Sequence, residues 1–172
     1  MERIILIFLI LVLIFGLSAD DVPIGLRPDE EPEVERDNIT GRERVDVRED
    51  DDIYREFEGH IAGTAEVNVE SSTGNIFVRF EDSIAGNATV NIRAERGDVY
   101  VSFADDITGA SEVNVESVRG DVILIGDRSS YEYYQSRNNL RVSAGGEIRY
   151  RTGSITDLIS LPGSQFASPA IF

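Results

Sequence analysis

Two pairs of carboxylates, Glu81-Asp82 and Asp105-Asp106, are the side chains most suited to chemistry in this sequence, and Asp50-Asp51-Asp52 adds an acidic run upstream. If successive segments stack, such carboxylates form ladders whose repulsion calcium could relieve, since that ion takes roughly six to eight oxygen ligands. The Gly-Gly-x-Gly-x-Asp signature of calcium-binding β-repeats is absent, so solvated turns are the simpler reading and calcium a conditional one. Paired carboxylates also serve glycoside hydrolysis, but nothing singles out one pair here. His60, in a Gly-His-Ile-Ala-Gly turn, is the only histidine, and there is no cysteine. A zinc site, a Ser/His nucleophile or a thiol nucleophile has little to build on. No catalytic residues are expected.

Two other motifs carry a biological reading beside a plain structural one. Arg96-Gly97-Asp98 and Arg119-Gly120-Asp121 spell the tripeptide that integrin receptors read, yet Thr73-Gly74-Asn75 stands at the equivalent place. The position is therefore a turn requirement first. Asn38-Ile39-Thr40 and Asn87-Ala88-Thr89 are sequons, which makes Asn38 and Asn87 candidate glycosylation sites if the chain is exported.

The elements that would position these residues show themselves by repetition. Gly63, Gly86 and Gly109 are 23 residues apart, and the same interval relates Phe57, Phe80 and Phe103, and Ile61, Ile84 and Ile107. Each unit carries Val-Asn-Val or Val-Asn-Ile, then Gly-Asn-Ile or Gly-Asp-Val. A first copy begins at Asp37-Asn38-Ile39-Thr40-Gly41, and a fifth runs from Leu140 to Tyr150 after an insertion, residues 126–139, that holds Tyr131, Tyr133 and Tyr134. Faithful central units with atypical ends are the mark of a stacked array. Within each unit apolar residues alternate with polar ones, and β-branched residues dominate, so the units are strands. No helix is predicted after the N-terminal apolar run. The expected fold is all-β: a short parallel β-solenoid of about five 23-residue coils, with an antiparallel meander of hairpins as the alternative.

The recurring short strand, turn ending in Gly-Asp and Val-x-Val of residues 37–151 resembles the adhesin-type β-helix proteins found on bacterial and archaeal surfaces. That resemblance implies a right-handed β-helix and a role in surface adhesion. It implies no catalytic residues.

Tyr54, Phe77, Tyr100 and Ile123 share one register of the repeat and point opposite to Ile53, Ile76, Val99 and Val122 by alternation. They should lie outside the core as an apolar stripe. Such a stripe is covered by the chain itself, through the insertion's tyrosines or the apolar segment 155–161, or else it is an interaction surface.

Composition narrows the partners. Formal net charge is −16, from 32 acidic and 16 basic residues, and every basic residue is arginine. Phosphate binding needs clustered positive charge, so nucleic acid is excluded as a partner, and anionic lipid headgroups are disfavoured. Residues 1–19 read as a secretory signal peptide: a charged start, an apolar run from Ile4 to Phe15, then Gly16-Leu17-Ser18-Ala19. The competing reading is an uncleaved anchor, although Ile4–Leu17 falls short of the roughly 20 residues a span requires. No integral span is expected after cleavage, and the chain should be secreted or held at the cell surface. Residues 20–36, with Pro23, Pro28, Pro32 and seven acidic residues, read as an extended solvated linker. Residues 37–152 form the β-repeat domain, and 153–172 a capping strand or tail. The expected function is a non-catalytic surface, adhesion or structural module. Its repetitive β-face would meet an extracellular surface, a glycan or another copy of itself. The alternatives are a self-assembling filament subunit and a glycan-active enzyme.

Overall fold

A computed structural model describes residues 33–35 and 37–155 of the 172. The segments read as signal peptide (1–19), most of the linker, and the tail beyond Ile155 lie outside the described residues. The strands are β1 (Glu33–Glu35), β2 (Arg44–Glu49), β3 (Ile53–Phe57), β4 (Glu66–Ser71), β5 (Ile76–Phe80), β6 (Thr89–Ala94), β7 (Val99–Phe103), β8 (Glu112–Ser117), β9 (Val122–Ile125), β10 (Leu140–Ala144) and β11 (Ile148–Arg151). Among the described residues one helix, α1 (Arg128–Ser136), sits between β9 and β10.

Odd-numbered strands form one sheet in the order β1-β3-β5-β7-β9-β11, and even-numbered strands form the other, β10-β8-β6-β4-β2. Every ladder is parallel, with Ile53 on Ile76, Ile76 on Val99 and Val99 on Val122. An antiparallel meander would need opposed neighbours, so the fold is the parallel β-solenoid. A third side, not foreseen from the repeat, is a column of single bridges that joins Ile39, Ile61, Ile84 and Ile107.

The inner faces of all three sides fill one core, from Ile53, Val67, Val69, Ile76 and Val78 through to Leu124 and Leu140. Phe57 and Phe80 stack within it and the partly buried Phe103 continues the column, the ring centroids 5.1 and 5.2 Å apart. Two glycine positions make such close stacking feasible. At Gly63, Gly86 and Gly109 φ lies between +70° and +80°, a region that costs other residues. At Gly97 a Cβ would stand 2.0 Å from the Gly74 carbonyl oxygen, so the neighbouring coil leaves no room for a side chain.

The structure corrects two expectations. Residues 33–35, placed in the solvated linker, form β1, which pairs Glu33 with Arg55 and Glu35 with Phe57. The insertion is helical rather than irregular. Asp127 caps α1, accepting hydrogen bonds from the backbone N–H and the hydroxyl of Ser129. Tyr131 and Tyr134, one helical turn apart, bury their rings in the end of the core. Period-two alternation hid this helix because both signals rest on only a few residues.

Candidate functional site

The outer face of the even-numbered sheet is the most ordered arrangement of polar groups in the described residues. Strand alternation turns three residues of each of the first four coils outward, and the parallel register places them in three columns. The middle column is Asp46, Asn68, Asn91 and Asn114. Its amides form a ladder: Asn114 Nδ2 donates to Asn91 Oδ1 at 2.9 Å, Asn91 Nδ2 to Asn68 Oδ1 at 2.8 Å, and Asn68 Nδ2 to Asp46 Oδ1 at 2.8 Å. The terminal Asp46 also accepts from Arg44 Nε at 2.8 Å, and these two partners hold its carboxyl below the usual range. The Val-Asn-Val signature was visible as a repeat, but its role as a ladder was not drawn from it.

The flanking columns are charged. One runs Arg44, Glu66, Thr89, Glu112; the other runs Arg48, Glu70, Arg93, Glu116, with strictly alternating sign. Arg48 Nε lies 3.3 Å from Glu70, Arg93 Nε lies 2.9 Å from Glu116, and Arg44 Nη1 lies 3.3 Å from Glu66. From the fifth coil Arg141 Nη1 reaches Glu112 at 3.2 Å. The carboxylates beside Arg44 and Arg93 raise the pKa of both guanidinium groups.

The residues singled out from sequence occupy other places. Tyr54, Phe77, Tyr100 and Ile123 do form one column outside the central core, with the first three rings stacked at 4.7 and 4.6 Å. They are 9, 7, 8 and 4% exposed, so they offer little area to a partner. The insertion's Tyr131 packs instead inside the solenoid, edge-on to Phe103, and donates to the Ile125 carbonyl at 2.7 Å. Segment 155–161, the other proposed cover, lies outside the described residues after Ile155.

The four carboxylates read as a calcium ladder each have a different partner. Glu81 pairs with Arg79. Asp82 Oδ1 lies 3.0 Å from His60 Nδ1, which also contacts Ser83 Oγ at 2.9 Å. Asp105 accepts from the Asp106 N–H, and Asp106 accepts from the Tyr134 hydroxyl, each at 2.8 Å. Among the described residues no three acidic or histidine side chains converge as a metal site.

The aspartates of both Arg-Gly-Asp tripeptides serve the turn. Asp52, Asn75, Asp98 and Asp121 each accept a hydrogen bond from a backbone N–H of the next coil, on Asn75, Asp98, Asp121 and Glu147 respectively. Asn38 Oδ1 accepts the His60 N–H at 2.9 Å in a similar way. The side chains of Asn38 and Asn87 belong to exposed residues.

A further cluster escaped the sequence. Arg55 falls in the inner column of Val78, Val101 and Leu124, with Glu49 inward beside Ser71. Arg55 pairs with Glu33 and, at 3.2 Å, with Glu49, and burial lowers its pKa. These charges close the first coil, where an apolar interior would face solvent. The signal available was an arginine at a position that the next three coils fill with valine or leucine.

Compared with family models, curated proteins and solved structures, the chain matches none of them.

Proposed function

We propose that the chain is a non-catalytic surface module, exported by its N-terminal segment, that presents the outer face of the even-numbered sheet to a partner. The observation that carries this reading is the face itself. Four parallel strands hold three columns of polar side chains in fixed register, the middle one linked amide to amide from coil to coil and the outer ones joined by ion pairs such as Arg48–Glu70 and Arg93–Glu116. Strand spacing of roughly 4.8 Å makes that surface a flat lattice rather than a cleft, which suits contact with another extended surface. The resemblance to adhesin-type β-helix proteins points the same way.

Head-to-tail stacking into a filament is the weaker reading. One end of the solenoid carries Glu33, Glu49 and Arg55, whereas the other carries Ile148, 42% exposed on the inward-facing side of β11. An apolar end placed on a charged end would desolvate ions without new partners.

The test is retention of the purified chain on glycan arrays and on isolated cell envelopes, with products assayed in the same samples. Saturable retention without turnover is expected. Release of cleaved glycan by the folded chain would overturn the reading.

A further inference from the structure

The charges of this face are arranged to be complementary to themselves. A two-fold axis that brings two copies face to face must lie in the plane of the interface, which leaves two natural orientations. An axis along the solenoid keeps the coil order and exchanges the outer columns. It sets Arg44 on Arg48, Glu66 on Glu70 and Glu112 on Glu116, like charge on like, at each of these coils. An axis along the strands, midway between β4 and β6, keeps the columns and reverses the coil order. It sets Arg48 on Glu116, Glu70 on Arg93 and Arg44 on Glu112 of the second copy. The remaining meetings are Glu66 with Thr89, Asp46 with Asn114, and Asn68 with Asn91, each a carboxylate or amide against a neutral hydrogen-bonding group.

We propose that the outer face of the even-numbered sheet is the pairing surface for a second copy of this chain, docked with its coils in reverse order. The inference rests on the reading of this face as the working surface and names its partner. Local charge permits it even though the whole chain carries −16. The face holds four arginines (Arg44, Arg48, Arg93, Arg141) against six carboxylates (Asp46, Glu66, Glu70, Glu112, Glu116 and the Arg93 partner Glu95), so it carries only a small share of the chain's negative charge. Arginine suits both roles at once: Arg44 pairs with Asp46 and Glu66 and Arg93 with Glu95 and Glu116 within the chain, and the five N–H donors of each guanidinium leave capacity for a carboxylate across the interface.

The area sets the strength. Four paired strands about 4.8 Å apart and six residues at about 3.3 Å each give on the order of 400 Å² per copy, below the roughly 800 Å² of a standard stable interface. Pairing is therefore weak in dilute solution and effective where chains are crowded on a surface. Added salt should weaken it.

Sedimentation of the full chain at high concentration and low salt tests the proposal, with Glu70→Arg and Arg93→Glu as separate variants. Both side chains are 43% exposed, and thermal melting confirms that each variant is folded. Glu70→Arg places two arginines opposite each other in the self-pair, and Arg93→Glu places two glutamates. Each variant alone should lose self-association by about tenfold or more. An equimolar mixture restores opposite charges at all four meetings of that column, so it should recover affinity close to that of the unchanged chain. Self-association of either variant at the original strength would overturn the proposal, as would a mixture no better than its components or an unchanged chain that stays monomeric. Envelope and glycan retention of the same samples separates the two readings: retention with no pairing removes only the second copy as partner, and pairing without retention leaves self-recognition as the role of the face.

Discussion

Asp98 Oδ1 accepts the backbone N–H of Asp121 at 2.8 Å, so the aspartate of one Arg-Gly-Asp tripeptide holds the turn that presents the next. Its own N–H is held by Asn75 at 2.8 Å, and an asparagine therefore does this job one coil earlier. Asp98→Asn keeps the acceptor and should leave stability within about 0.5 kcal/mol, whereas Asp98→Ala should cost about 1–2 kcal/mol by stranding the Asp121 N–H. Urea unfolding of the two variants measures the difference. Equal losses would show that the carboxylate charge, and not the hydrogen bond, is what the turn needs.

Glycines of the two turn classes should respond differently to alanine. At Gly97 the new methyl group would meet the Gly74 carbonyl oxygen at 2.0 Å, a backbone atom that cannot move without parting the coils. Gly41, at φ +69°, has nothing within 4 Å of a built Cβ, so alanine there meets only the left-handed backbone cost of about 1 kcal/mol. Gly97→Ala should lose several times as much, on the order of 3 kcal/mol or more. Chemical denaturation of both proteins decides it, and similar losses would mean that the coils separate more readily than their contacts suggest.

Much of this architecture was legible because a solenoid repeats one physical problem. Gly63, Gly86 and Gly109, the Phe57 column and the Ile61 column recur at 23 residues since each must meet its own kind in the next coil. Parallel stacking, the inner face and the outer position of Tyr54 and Phe77 followed from that interval and from alternation. The ends were illegible for the same reason. Arg55 and Glu49 break the apolar pattern where Arg55 is met by Glu33 of the short β1 rather than by another apolar side chain, and α1 replaces a turn because the last coil needs a cover. The Asn68-Asn91-Asn114 ladder was hidden differently: its motif was plain, but hydrogen bonding between coils appears only when the register is known.

The outer aromatic column separates a covered stripe from an open one. Phe77 is 7% exposed and lies between the Tyr54 and Tyr100 rings at 4.7 and 4.6 Å. Phe77→Ala should destabilise the fold by about 3 kcal/mol, as for a buried aromatic ring. A loss below about 0.5 kcal/mol, the level of an ordinary surface change, would indicate an open stripe. Thermal and urea melts of the variant give the answer directly.

Alkaline pH should loosen the solenoid through its buried tyrosines. Burial pushes the Tyr100 hydroxyl up to about 12, with the Asp98 charge adding to it, and burial with the Asp106 hydrogen bond takes Tyr134 to about 12. Tyr131 is raised as well, mainly by burial. An unfolded tyrosine ionises near pH 10. The native state thus holds protons that the unfolded state has released, and the unfolded state gains on it as pH rises. The tyrosine contribution to stability should be fully present below about pH 10 and be lost between pH 10 and 12. Melting temperature followed across that interval, with phenolate absorbance recorded in the same samples, tests the sign. Tyr134→Phe removes one of the groups and should flatten the decline. A melting temperature constant to pH 12 would show that these hydroxyls ionise without disturbing the packing of α1 on the last coil.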